Sequence, residues 1–234
     1  MNPQLFGTEH ILYIIISALV CGGGLLLTKT FAKTEKNKRI VLKTLAVLLF
    51  AFIILNRLSQ VFRYDTVQWF LIIPDSICGM TSLVLSLAVL FGKKNNGALH
   101  ALWLLGLFGG VSTVIYATFV GQGPTLFYLP TISGLLHHSL SATLAVGLLM
   151  FGQINVTYKK WYFTLFGFTA YVTVGAFLMQ TFDMSDAFHI AEPLLEGTPL
   201  TIWVMAPMYA AAYAVILLGV ELVKRKKQTS GGDR

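Results

Sequence analysis

Residues 10–28 read HILYIIISALVCGGGLLLT, without one Asp, Glu, Lys or Arg. An α-helix needs about 20 mostly apolar residues to cross the hydrocarbon of a bilayer, and this run is of that length. Six more stretches of similar character follow, at 40–62, 67–92, 98–120, 130–152, 161–183 and 199–223. Together they fill most of the 234 residues. Their apolar runs are continuous where the strands of a membrane barrel would alternate, so they read as helices, which satisfy their own backbone in lipid. Composition agrees: 56% of the chain is hydrophobic and 12% charged, about half the charged fraction of a soluble domain. The expected fold class is therefore all-α. It is one polytopic bundle of seven transmembrane helices over residues 1–227, with a polar, disordered tail at 228–234.

The charges orient that bundle. The net charge of +7 suggests nucleic acid until the residues are placed between the spans. Lys29, Lys33, Lys36, Lys38 and Arg39 fall between spans one and two, Lys93 and Lys94 between three and four, and Lys159 and Lys160 between five and six. Lys224, Arg225, Lys226 and Lys227 follow span seven. The alternate connections hold Arg63 but also Asp65, Asp186, Glu192 and Glu196, with Glu9 before span one. Basic residues stay on the cytoplasmic side, which puts the N-terminus outside and the C-terminus inside. The expected partners are membrane lipids, with no nucleic acid.

The first span is expected to be an uncleaved anchor, because its start, Met1 to His10, lacks the basic region of a signal peptide. The longest connection, Met184 to Thr198, is too short for an independent core. Cys21 and Cys78 lie in different spans at apolar depth, which argues against a disulfide framework and gives no zinc spacing. Neither a metal nor a cofactor is expected.

Polar side chains inside the spans are the functional candidates, because each is costly there. Span three reads LIIPDSICG over 71–79. Pro74 is expected to kink that helix. Continued past the kink, a helix would carry Asp75, Cys78 and Ser82 on one face. Span five holds Ser133, His137 and Ser141 on one stripe, with Gly134 and His138 on the next, so at most one histidine points squarely into a shared site. Span two carries Asn56, Arg57 and Gln60 near its outer end, where Arg57 either snorkels outward or pairs with Asp75. Gly106 and Gly110 have the spacing of close helix packing, followed by Ser112, Thr113 and Tyr116. His10, Asp65, Gln180, Asp183 and His189 gather at the outer boundary. The polar residues thus converge on the outer half of the bundle.

Several short motifs recur in a fixed order. Phe6-Gly7-Thr8-Glu9-His10 precedes span one, and Pro74 to Cys78 forms a Pro-x-x-x-Cys pattern in span three. Span four is glycine-rich, and His138-Ser139-Leu140 leads an apolar run in span five. Glu192-Pro193 and Thr198-Pro199-Leu200 precede span seven. In these, over nearly its whole length, the chain resembles the YwaF-like integral membrane proteins of bacteria, a family that extends to vertebrate relatives described as ether-phospholipid acyltransferases.

The resemblance implies acyl transfer to a lipid in the bacterial cell membrane, through a thiol and a histidine. Cys78 would be the nucleophile, His138 its base, and Asp75 would orient the histidine or balance Arg57. Ser76, Ser82, Arg57, Asn56, His137, Thr113 and Tyr116 would surround the lipid or acyl substrate. The chain departs from the family pattern at Ser76, where the family has His, and the vertebrate thiol aligns nearer Asp75 than Cys78. Whether Cys78 or Asp75 holds the functional position stays open. So do two other functions: a small transporter or channel binding an ion, a proton or a polar solute at Asp75, His138 and Arg57, and a non-catalytic subunit of a larger complex.

Overall fold

A computed structural model describes residues 3–63 and 65–230, with side chains described as far as Val223. Every regular element among the described residues is helical. The α-helices are α1 (Thr8–Phe31), α2 (Glu35–Val61), α3 (Ile77–Leu90), α4 (Gly97–Ile115), α5 (Leu129–Met150), α6 (Tyr162–Phe182) and α7 (Ile202–Ser230). Their starts follow local chemistry. Thr34, Ser76 and Asn96 each accept a hydrogen bond from the backbone N–H three residues on, capping α2, α3 and α4. Pro130 sits in the first turn of α5, where its missing N–H costs nothing. The helix α7 continues to Ser230, so positions 228–230 of the expected tail extend it, and 231–234 lie outside the described residues.

The expected third span, 67–92, is not one helix. A 3-10 turn at Trp69–Ile72 ends in extended backbone at Ile73, the conformation that a following proline imposes. Pro74 therefore separates two elements where a kink in one helix was expected, and α3 starts afresh at Ile77 with 14 residues. At 1.5 Å per residue that is about 21 Å, short of a bilayer core. Among the described residues, six of the helices are long and apolar enough to cross a membrane. The irregular stretch before α3 needs backbone partners from elsewhere, and Phe188 supplies one: its N–H donates to the Asp75 carbonyl at 2.7 Å.

The centre of the bundle is α5. Its apolar stretch is 67% buried, against 6% for that of α1, which faces outward nearly all round. α5 packs against α1, α2, α3 and α4, while α6 lies on α4 and α7 on α6. Glycine makes the α4–α5 contact close. A Cβ on Gly110 would sit 2.5 Å from the His138 carbonyl oxygen, and one on Gly106 would sit 3.0 Å from Ser141 Oγ. Tyr13 and Ser17 of α1 both reach Ser139 of α5, each at 2.9 Å between hydroxyl oxygens.

The connections sort by charge. At the basic end, Lys94 reaches Glu35 at 3.5 Å, Lys160 donates to the Asn95 carbonyl at 3.2 Å, and the Asn155 N–H donates to Asn95 Oδ1 at 2.9 Å. The α1–α2, α3–α4 and α5–α6 connections therefore meet there. At the opposite end the Leu126 N–H donates to Glu9 Oε2 at 3.3 Å. The long acidic connection before α7 does not stay in solvent. Its Ala187 and Phe188 are each only 1% exposed, and Phe188 lies against Tyr171 of α6 with ring centroids 5.4 Å apart.

Candidate functional site

Residues 56 and 57 of α2 point to two different helices. Asn56 turns to α5, where its Nδ2 donates to the Pro130 carbonyl at 3.0 Å and to Ser133 Oγ at 3.2 Å. Arg57 turns to the segment before α3, where Nη1 donates to Asp75 Oδ1 at 2.6 Å. The sequence left Arg57 a choice between snorkelling and pairing, and in the structure it pairs. The Arg57 side chain is 11% exposed and that of Asp75 32%, so the pair is partly shielded. Arg57 Nε is buried without a hydrogen-bond partner.

His137 continues this polar line. Its Nδ1 is 3.2 Å from Ser82 Oγ of α3. The His138 ring lies beside it, with centroids 4.1 Å apart, but faces Phe119 at 6.3 Å. His138 has no side-chain hydrogen bond among the described residues. Of the two histidines, His137 is the one joined to α3.

Cys78 is a free thiol on the same helix but with other neighbours. Its neighbour across the interface is α4, on the side of Gly109 and Thr113. Gly109 permits that approach, since a Cβ there would lie 3.0 Å from Sγ. One turn on from Cys78, Thr81 Oγ1 is 2.6 Å from the Tyr171 hydroxyl of α6. The face expected to carry Asp75, Cys78 and Ser82 together needs helix at residue 75. Asp75 precedes the Ser76 cap, so its direction is set by the irregular segment. Cys78 and Ser82 remain neighbours one turn apart on α3.

Other candidates are held elsewhere. Ser76 is engaged as the α3 cap, accepting from the Gly79 N–H at 3.1 Å. Tyr116 is 52% exposed and packs on Phe6. His10 is fully buried: Nδ1 accepts from the Phe6 N–H at 3.1 Å, which leaves Nε2 to donate to the Val114 carbonyl at 2.9 Å. That bond satisfies a carbonyl in the last turn of α4. No group of His, Cys, Asp and Glu among the described residues could hold a metal ion. Sequence reasoning missed Phe188, Tyr171 and Thr81. The two apolar residues 187 and 188 stand among Asp183, Asp186 and Glu192, and only that interruption of an acidic loop signals them.

Beside this cluster a lateral groove of about 380 Å³ opens between α3, α4 and α6. Met80, Val84, Leu102, Phe166 and Val174 line it, and Tyr171 brings its one hydroxyl among otherwise apolar side chains and glycines.

Residues 5–223 match the TMEM164 family, a match over nearly the whole chain. No curated protein and no solved structure matches the chain.

Proposed function

The chain belongs to the TMEM164 family and is a multi-pass membrane protein, and on that premise we propose that it transfers an acyl chain between lipids through a thioester at Cys78. The observation that carries the proposal is the apolar groove walled by Met80 and Tyr171, because the Tyr171 hydroxyl is bonded at 2.6 Å to Thr81, three residues from Cys78 on α3. An acyl chain lying there from the side would bring its ester toward the thiol. The resemblance to the ether-phospholipid acyltransferases suggests the same chemistry.

Geometry favours His137 over His138 as the base. His137 is bonded to Ser82, one turn from Cys78. The thiol proton passes to the imidazole across Ser82 or a water, and the thiolate attacks the ester carbonyl of a donor phospholipid. A C–S bond forms, the ester C–O bond breaks, and the lysolipid oxygen takes the proton from the imidazolium. An acceptor hydroxyl then gives its proton to the imidazole and attacks the thioester. A C–O bond forms, the C–S bond breaks, and the thiolate is restored. Asp75 holds Arg57 in place. The reading sets the protein in the bacterial cell membrane with its N-terminus outside, as the basic connections indicate, and with membrane lipids as partners.

Mass spectrometry of protein purified from phospholipid vesicles tests this reading. An acyl mass on the Cys78 peptide, removed by hydroxylamine and missing from Cys78→Ser, is the expected result. Acylation that persists in Cys78→Ser, or a Cys78 that never carries an acyl group, sinks it.

A second reading has its own observation, the buried, unpartnered Nε of Arg57, whose Nη1 is bonded to Asp75. A donor aimed into a polar interior could hold an anion or a polar solute in transit. Solute or proton flux in proteoliposomes that disappears in Asp75→Asn would favour it over acyl transfer.

A further inference from the structure

At the basic end, far along α3 from Cys78, a second cavity of about 180 Å³ lies between the ends of α2, α3, α4 and α5. Arg39, Lys43, Lys93 and Lys94 line it, with Glu35 as the one carboxylate. Glu35 is already shared, bonded by Lys38 at 2.8 Å and by Lys94 at 3.5 Å. Arg39, Lys43 and Lys93 have no ion pair or side-chain hydrogen bond among the described residues. Arg39 and Lys93 are exposed and Lys43 is half-buried, so three cations without a carboxylate of their own border one opening and raise its affinity for anions. The deeper lining is different: Leu42, Val89 and Leu148 are apolar.

We propose that this cavity binds the phosphate of an anionic phospholipid headgroup, with the glycerol and upper acyl carbons over the apolar lining. The chemistry recognised is a phosphate ester. Arg39 offers a planar fork that can hold two of its oxygens, and the lysines supply point charges. The apolar lining distinguishes the lipid from a soluble phosphate, which would gain nothing from Leu42, Val89 and Leu148. The cavity lies at the end of the bundle that gathers the basic connections, where a headgroup sits against transmembrane helices. No residue here belongs to the groove or to the Cys78 cluster, so the two proposals fail independently.

The test uses the full chain in phosphatidylcholine nanodiscs, with phosphatidylglycerol, glycerol 3-phosphate and inorganic phosphate as separate titrants. Native mass spectrometry counts the bound lipid. Wild type is expected to retain phosphatidylglycerol, and Arg39→Gln/Lys93→Gln to bind it about tenfold more weakly or worse, the loss of two charge-assisted contacts. Lys159→Gln, which changes an exposed lysine outside the cavity, is expected to bind like wild type. The thermal midpoint of each variant in lipid-free detergent reports whether it folds, and Lys43→Gln, expected to weaken lipid binding severalfold, serves in place of a double variant that does not; wild-type binding by a folded Lys43→Gln then overturns the site. Equal binding by wild type and Arg39→Gln/Lys93→Gln overturns the site. An equal loss in Lys159→Gln reduces it to general surface charge and overturns it too. Glycerol 3-phosphate or inorganic phosphate binding as tightly as the lipid overturns the headgroup assignment.

Discussion

Arg57 and Asp75 are bonded at 2.6 Å across the junction between α2 and the irregular segment that precedes α3. The same aspartate is held from a second side, because its carbonyl accepts the Phe188 N–H at 2.7 Å. A residue outside any helix is thus fixed by one side chain from α2 and one backbone group from the acidic connection. That double hold gives the start of α3, and so Cys78 and Ser82, a defined position.

Asp75→Asn should therefore destabilise the bundle. Removing one partner leaves the guanidinium without a counter-charge while its Nε is already unpartnered. Exposed pairs contribute up to about 1 kcal/mol and fully buried ones cost about 3–5 kcal/mol when broken, so this partly shielded pair should cost about 2 kcal/mol. Thermal unfolding in detergent measures it. The Arg57→Met/Asp75→Asn double variant should lose less than the sum of the two single changes, and additivity would show that the pair is not coupled.

His10→Ala should cost about 2 kcal/mol or more, because it strands the Val114 carbonyl and the Phe6 N–H together. Hydrogen exchange should rise at the Phe6 amide and in the last turn of α4. Unchanged protection there would mean that water replaces the imidazole without loss.

The helical class was legible in the continuous apolar runs, and close packing at Gly106 and Gly110 in their spacing, though not that α5 is the partner. The third span was misjudged because hydropathy does not register that Ile73 must leave the helical region before Pro74. The polar residues were legible as a set, since each is costly in lipid. Their partners were not. Two adjacent histidines on a central helix face different neighbours, and the choice between Ser82 and Phe119 depends on how α5 is rotated against α3, which one chain's periodicity does not fix. Phe188 was hidden for a different reason, because the apolar pair at 187 and 188 is a faint signal within a connection whose acidic residues point to solvent.

Phe188 holds that connection in place at some conformational expense. Its φ is +56°, with +60° at His189 beside it, a region that bulky residues avoid. Packing against Tyr171 and near-complete burial offset the strain. Phe188→Ala should cost about 3 kcal/mol by truncation and should free the connection before α7 while α5 stays protected. Limited proteolysis should then cut within 183–201 faster than in wild type. An unchanged cleavage rate would show that the Phe188 ring does not anchor the loop.

Two glycine-to-alanine changes should have opposite signs. At Gly110 the new methyl would meet the His138 carbonyl oxygen at 2.5 Å and the Ala142 amide nitrogen at 2.9 Å. Both are backbone atoms of the central helix and cannot rotate away, so α4 and α5 must separate, at about 1–3 kcal/mol. At Gly22 of α1 a Cβ meets nothing within 4 Å, and alanine is the better helix former by about 1 kcal/mol. Gly22→Ala should therefore raise the thermal midpoint slightly, and Gly110→Ala should lower it. Because His138 and its neighbour His137 ride on the displaced helix, Gly110→Ala should also lengthen the Ser82–His137 contact, now 3.2 Å. Histidine ring nitrogen shifts in labelled protein report that contact directly. A Gly110→Ala protein with wild-type stability and unshifted His137 resonances would show that the two helices are not in the close contact described.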